Sequence, residues 1–157
     1  MIEFRIFIDP DDLFQIQVPT NWETNTTALK PGEPGYDPNF KIEFLDPEKP
    51  EKGMLRPNVC LNIGPFSPLS QEEYIINGRL ELKQASKVKD LHRDESINSD
   101  THLFEWIFQQ TPVVGWQRLK LFFKSNKAYM LVGTSGLEQC EDIFDTIFDS
   151  FRVKESE

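Results

Sequence analysis

The residue best placed for nucleophilic chemistry is Ser135, in Gly133-Thr-Ser-Gly136, where an expected strand runs into an expected helix. A hydrolase elbow puts its serine at such a junction, but the G-x-S-x-G pattern is absent. Ser135 followed by Glu138 reads instead as a capping box, with the serine as N-cap of the helix. His92 and His102 form no metal-binding pair. Two acidic clusters, Asp9/Asp11/Asp12 and Asp94/Glu95/Asp100, could offer oxygens to Ca²⁺. Neither has the spacing and glycine of a calcium loop, and turn and cap chemistry accounts for both. Cys60 and Cys140 match no metal or redox spacing and read as free, partly buried thiols. No glycine-rich loop is built to cradle phosphate. No residue is therefore assigned as catalytic, cofactor-binding or metal-binding, and the chain is expected not to be an enzyme and to need no cofactor.

Charge narrows the partners. The chain has 157 residues with 17 basic against 26 acidic side chains, a net charge of −9. A binder of nucleic-acid backbones needs a basic field, and so does a protein drawn to anionic membrane surfaces. No run approaches the 18 or so apolar residues of a membrane span. Nucleic acid and membrane insertion are thus excluded as expectations; another protein remains, and a second copy of the chain is compatible. The start of the sequence, Met1-Ile-Glu-Phe-Arg-Ile-Phe-Ile-Asp9, has no apolar leader core, so a cytoplasmic location is expected. Thirteen Phe and three Trp offset a hydrophobic content of 38%. One core is within reach, and the length predicts a single domain over 1–157 with its core in about 13–153.

Periodicity supplies the elements. Phe4/Ile6/Ile8, Phe14/Ile16/Val18, Phe40/Ile42/Phe44 and Val59/Leu61/Ile63 alternate with polar residues and read as strands. Pro31, Gly32, Pro34, Gly35 and Pro38 mark a loop over 24–38, and 46–53 reads as a second, charged loop. A helix starts after Ser70, whose capping box is completed by Glu73. Tyr74, Ile75, Gly78, Leu82 and Ala85 share one of its faces, and Gly78 is expected to permit close approach to the sheet. Residues 88–99 read as an edge strand or irregular connection. In 102–110, Phe104, Trp106 and Phe108 oppose Leu103 and Ile107; in 116–123, Leu119, Leu121 and Phe123 oppose Trp116 and Phe122. Apolar groups on both faces require a layer above and a layer below.

Lys124-Ser-Asn-Lys127 reads as a tight turn into the strand Ala128–Val132. The last helix, from about Leu137, gathers Leu137, Cys140, Ile143, Phe144, Ile147, Phe148 and Phe151 within roughly 140° of arc. Glu138, Glu141, Asp142, Asp145 and Asp149 occupy a separate arc of about 100°. The fold class expected is α/β (α+β), an antiparallel β-sheet flanked by helices.

Five residues are candidates for binding a partner. Tyr36 stands at the tip of the Pro-Gly loop, where a tyrosine makes a good anchor. Ile76 and Leu80 fall on the side of the first helix away from its apolar face. Asp145 and Asp149 lie on the acidic arc, a surface suited to a basic partner.

The order of elements resembles the PsbP/Mog1-type superfamily of α/β/α sandwiches. The matching pieces are Phe14-Gln-Ile-Gln-Val-Pro-Thr-Asn-Trp22, Asn58-Val-Cys-Leu-Asn62, the Ser70 helix and the Gly115-Trp116 strand. Ala128-Tyr-Met-Leu-Val-Gly-Thr134 and the closing Phe144-Asp-Thr-Ile-Phe-Asp-Ser-Phe151 complete the set. These are core and turn positions, so the resemblance transfers no site residue. It implies a non-catalytic interaction, assembly or adaptor module. Alternatives within the superfamily are a photosystem II-associated PsbP-like protein and a cytosolic adaptor or chaperone of secretion effectors. A small-ligand or metal-ion binding domain is the alternative from another class.

Overall fold

Strict alternation makes Phe14, Ile16 and Val18 a one-sided apolar strip, and all three are fully buried. The computed structural model describes residues 2–48, 55–136 and 141–154. In order they form β1 (Phe4–Ile8), β2 (Phe14–Pro19), β3 (Glu23–Asn25), β4 (Phe40–Leu45) and β5 (Asn58–Pro65). Then follow α1 (Gln71–Gln84), β6 (Val88–Asn98), β7 (Thr101–Gln110), β8 (Val113–Lys124), β9 (Lys127–Gly136), α2 (Glu141–Ser150) and β10 (Arg152–Val153). A seven-stranded sheet has the order β3-β4-β5-β9-β8-β7-β6, and a three-stranded sheet the order β1-β2-β10. Every pairing is antiparallel. The β8–β9 turn is the expected two-residue one, with Ser125 and Asn126 both at positive φ (52° and 62°).

The large sheet is apolar on both faces, as the double-sided patterns require. On one face Phe104, Trp106, Phe108, Leu121 and Phe123 pack with Tyr74, Ile75 and Leu82 of α1. On the other, Val59, Leu61, Trp116, Tyr129 and Leu131 pack with Phe144, Ile147 and Phe148 of α2 and with the inner row of β2. The result is an α/β/α sandwich whose α2 layer is completed by the small sheet. Phe14 and Phe151 meet across that junction with ring centroids 5.8 Å apart and planes tilted by 31°.

Several expectations change. Ser135 is not a helix cap: it lies in β9, opposite Trp116, fully buried, and its hydroxyl donates to the Gly136 carbonyl at 2.9 Å. The β8–β9 ladder runs on through Gly136, so the backbone of Ser135 is committed to the sheet. Glu138, Leu137 and Cys140, assigned to the same helix, lie outside the described residues. Residues 24–25, expected in the Pro-Gly loop, pair with β4 as part of β3. Of the two readings of 88–99, the edge strand is the one the structure bears out, over Val88–Asn98.

Gly78 makes no close approach to the sheet. A Cβ placed there meets nothing within 4 Å. The helix it interrupts has its expected capping box at Ser70 and Glu73, yet none of its 14 residues is fully buried. Because the site is open and the backbone helical, Gly78→Ala is expected to stabilise the chain by about 0.5–1 kcal/mol through helix propensity. Urea unfolding of the two proteins checks this.

Candidate functional site

The space left open at Gly78 continues as a groove between α1 and the sheet, of about 300 Å³. Its floor comes from three strands: Phe104 and Trp106 of β7, Leu119 and Leu121 of β8, and Met130 of β9. Its helical wall is Tyr74, Gly78, Glu81 and Leu82, and Lys87 and Val88 close one end. A helix side with glycine at its centre, and no large residue to replace it, cannot fill the space above a flat row of strand side chains. The gap follows from that.

One polar line crosses the floor. The Trp106 indole Nε1–H donates to Gln117 Oε1 at 3.1 Å, and Gln117 Nε2 donates to Thr134 Oγ1 at 2.9 Å. These bonds fix the tryptophan ring as part of the floor and leave the Gln117 amide with unused donor and acceptor capacity. Glu81 and Lys87 are the charged members of the lining. Burial pushes the Tyr74 phenol above its ordinary pKa, with Glu81 and Asp37 adding to the rise. Tyr74 is thus a neutral hydrogen-bonding group at neutral pH.

A charged clamp fixes the helix over the groove. Arg79 of α1 grips the Asp94 carboxylate of β6 through both Nε and Nη2, the latter at 2.9 Å. His102 Nε2 meets the same carboxylate at 2.7 Å, and its ring lies 4.7 Å from that of Phe104. Arg79 holds Asp94 below the usual carboxylate range against the effect of burial, with His102 assisting.

On the opposite face of the sheet, under α2, a second set of charges converges. Arg118 of β8 is 5% exposed. Its Nε donates to Glu105 Oε2 at 2.8 Å and its Nη1 to Asp145 Oδ1 at 2.7 Å. The guanidinium also lies 5.3 Å from the Trp116 ring and 5.4 Å from that of Phe148. Glu105 accepts from His92 at 2.9 Å as well. Each charge here has an opposite within reach, so the set reads as a tie between α2 and the sheet.

The five candidate partner-binding residues do not form one surface. Ile76 and Leu80 are 40% and 48% exposed on α1, on the side of the helix turned away from the groove. Tyr36 is 39% exposed on the β3–β4 loop. That loop helps line a smaller pocket of about 250 Å³ with Glu43 and Cys60, on the α1 side of the sheet. Burial, with Glu43 and Asp37 nearby, pushes the Cys60 thiol up to about 12, so it is no nucleophile at neutral pH. Asp145 and Asp149 lie across the sheet on α2. Asp145 is engaged by Arg118, and Asp149 contributes its carbonyl to Arg152 Nη1 at 2.6 Å.

Asp9, Asp11 and Asp12 are likewise occupied. Lys41 pairs with Asp11 at 2.7 Å and Asp9 at 3.5 Å, and Lys154 pairs with Asp12. Among the described residues no group of three His, Cys, Asp or Glu could hold a metal ion. None of the described helices is long and apolar enough to cross a membrane.

Sequence reasoning missed the groove and the Arg118 set. The signals were a glycine in mid-helix, and a glutamine and an arginine set among apolar strand residues.

No protein-family model matches the chain, and no curated protein does. Solved structures do. Cyanobacterial PsbP (CyanoP) from Synechocystis sp. PCC 6803 superposes with a TM-score of 0.68 at 14% identity, over 98% of this chain and 94% of that one. LpqN of Mycobacterium tuberculosis, a protein involved in cell envelope biogenesis, gives 0.59 at 9% identity, over 98% and 92%. A Bacteroides thetaiotaomicron VPI-5482 protein gives 0.58 at 16% identity; this chain spans 97% of itself but 49% of that longer chain. The fold is therefore PsbP/Mog1-like, and at these identities the likeness speaks for the fold alone.

Proposed function

We propose that this PsbP-like chain is a non-catalytic interaction module that seats an apolar segment of a partner protein in the groove beneath α1. The observation that carries this reading is the groove's composition. Its floor is aromatic and aliphatic, its polar groups are few, and the helix above it is incompletely packed. Ile76 and Leu80 add a second, separate apolar pair on the outer side of the same helix. Groove and helix flank together suit a polypeptide better than a small molecule, which would use the groove alone. A net charge of −9 favours a partner whose apolar anchors are flanked by Lys or Arg.

The test is affinity capture from cells of the source organism with quantitative mass spectrometry. The baits are wild type, Leu80→Asp, and Gly78→Phe, which fills the groove. Both positions are open, so both variants keep the fold. The same protein should be lost from both variant captures. A partner set identical across the three baits removes the groove from the function.

A small apolar ligand is the second reading, favoured by the Gln117 amide beside the Trp106 ring on the floor. Native mass spectrometry separates the two. A bound small molecule would vanish with Gly78→Phe and survive Leu80→Asp.

A further inference from the structure

Four strands end the two sheets, and three of them are guarded. β3 has three residues and β10 two. β6 is long but breaks register at Val88/Asp90, Leu91/Arg93 and Ser96/Asn98, and it carries Lys89, Asp90, Arg93, Asp94 and Glu95. Short length, bulges and charge are the usual defences of an open edge. β1 is the least guarded: its register with β2 is unbroken from Phe4 to Ile8 and Arg5 is its one charged residue. Its flank exposes Ile6 and Ile8 at 61% and 56%, with Ile2 just before it at 51%.

Which backbone groups face outward is fixed by the pairing with β2. Thr20 N–H donates to the Glu3 carbonyl at 2.8 Å, and Asp9 N–H to the Phe14 carbonyl at 3.0 Å. Pro19, which has no N–H, lies opposite Phe4. Odd-numbered residues of β1 therefore bond to β2, and the N–H and C=O groups of Phe4 and Ile6 point to the free edge. Among the described residues no strand pairs with that edge.

We propose that β1 pairs antiparallel with β1 of a second copy of this chain, about a two-fold axis at Phe4. A two-fold pairing must join outward groups to outward groups, which leaves axes at Glu3, Phe4, Arg5, Ile6 or Phe7. An axis at Glu3 sets two glutamates opposite each other, and one at Arg5 sets two arginines. At Ile6, Glu3 meets Asp9 of the second copy. An axis at Phe7 sets Arg5 opposite Asp9 of the second copy, but Asp9 is buried, accepts from the Leu13 N–H and pairs with Lys41. The Phe4 axis brings together unlike charges that are exposed enough to meet, Glu3 against Arg5 of the second copy, twice by symmetry. It also sets Ile2 beside Ile6 of the second copy. Arg5 is free to do this: its Nη2 donates to Trp22 O and Thr24 Oγ1, leaving Nε and Nη1. A pairing this short buries less than the roughly 1,200 Å² of a stable complex, so the dimer is weak and concentration-dependent.

Sedimentation equilibrium tests it over about 10 µM to about 1 mM, the range of a weak pairing. The mass of the wild type should rise from 18.3 kDa toward twice that value. Ile6→Lys should stay monomeric, and Glu3→Arg, which faces Arg5, should weaken association about tenfold. Ile8→Lys, outside the paired stretch, should associate like wild type. Amide exchange of the wild type gives a readout independent of any variant: Phe4 and Ile6 should gain protection with concentration while Ile8 does not. A monomer mass throughout overturns the proposal, and so does an Ile8→Lys defect equal to that of Ile6→Lys.

Discussion

Gly133→Val is expected to lower the unfolding free energy by about 3 kcal/mol, the upper end of an overpacking cost. For a chain of this size that is a fall in Tm of about 6–12 °C. Gly133 lies in the middle of β9, on the face covered by α2. A Cβ there would sit 2.7 Å and 2.9 Å from ring carbons of Phe144 and 3.0 Å from Phe148. Both phenylalanines are buried, and Trp116 holds Phe144 edge-on at a centroid distance of 5.0 Å. Neither ring has room to retreat, so α2 must lift. Valine is the better strand former, so propensity works against the expected loss and cannot cause it. Thermal unfolding of Gly133→Val, with Gly133→Ala/Phe144→Leu as the companion that removes ring volume, checks the mechanism. The companion should recover part of what Gly133→Ala alone loses. Additive losses would show that the ring contact is not the cause.

The same contact shows what sequence can and cannot convey. Aromatic periodicity placed Phe144 and Phe148 on one side of a helix and predicted the sheet beneath them, because that period is a local property of the chain. Apolar groups on both sides of β7 and β8 likewise predicted the sandwich, and Ser70 with Glu73 marked the start of α1. Ser135 went the other way. Its cap signal is local, whereas its strand partner Trp116 is far off in sequence, and the ladder won. Gly78 misled for a related reason. A glycine permits close approach and equally permits a gap, and the choice belongs to side chains on β7, β8 and β9. So the sheet and helices were legible, while the groove, a space left over once they pack, was not.

Arg118 was just as opaque, since its carboxylate partners Glu105 and Asp145 lie 13 and 27 residues away and no local pattern names them. Its replacement carries the other large expected effect. Arg118→Ala should cost about 3 kcal/mol, the lower end for breaking a buried ion pair. Most of that comes from Glu105, whose side chain is 13% exposed and which would keep its charge with less compensation. Little comes from Asp145, whose side chain is 53% exposed and screened by water. Asp145→Asn should therefore cost under about 1 kcal/mol. The acid limb of stability supplies an independent check. Burial works to raise the Glu105 pKa, but His92, Arg118 and Arg93 together hold it below the ordinary glutamate range. A carboxylate depressed in the folded state stabilises above its unfolded pKa, and that contribution is lost as pH falls through the folded value. Urea midpoints measured from pH 7 down to about pH 3 should fall for the wild type and fall less steeply for Arg118→Ala. If the two proteins lose stability in parallel on acidification, Arg118 does not hold the Glu105 charge, and the tie between α2 and the sheet is the stacking on Trp116 and Phe148 alone.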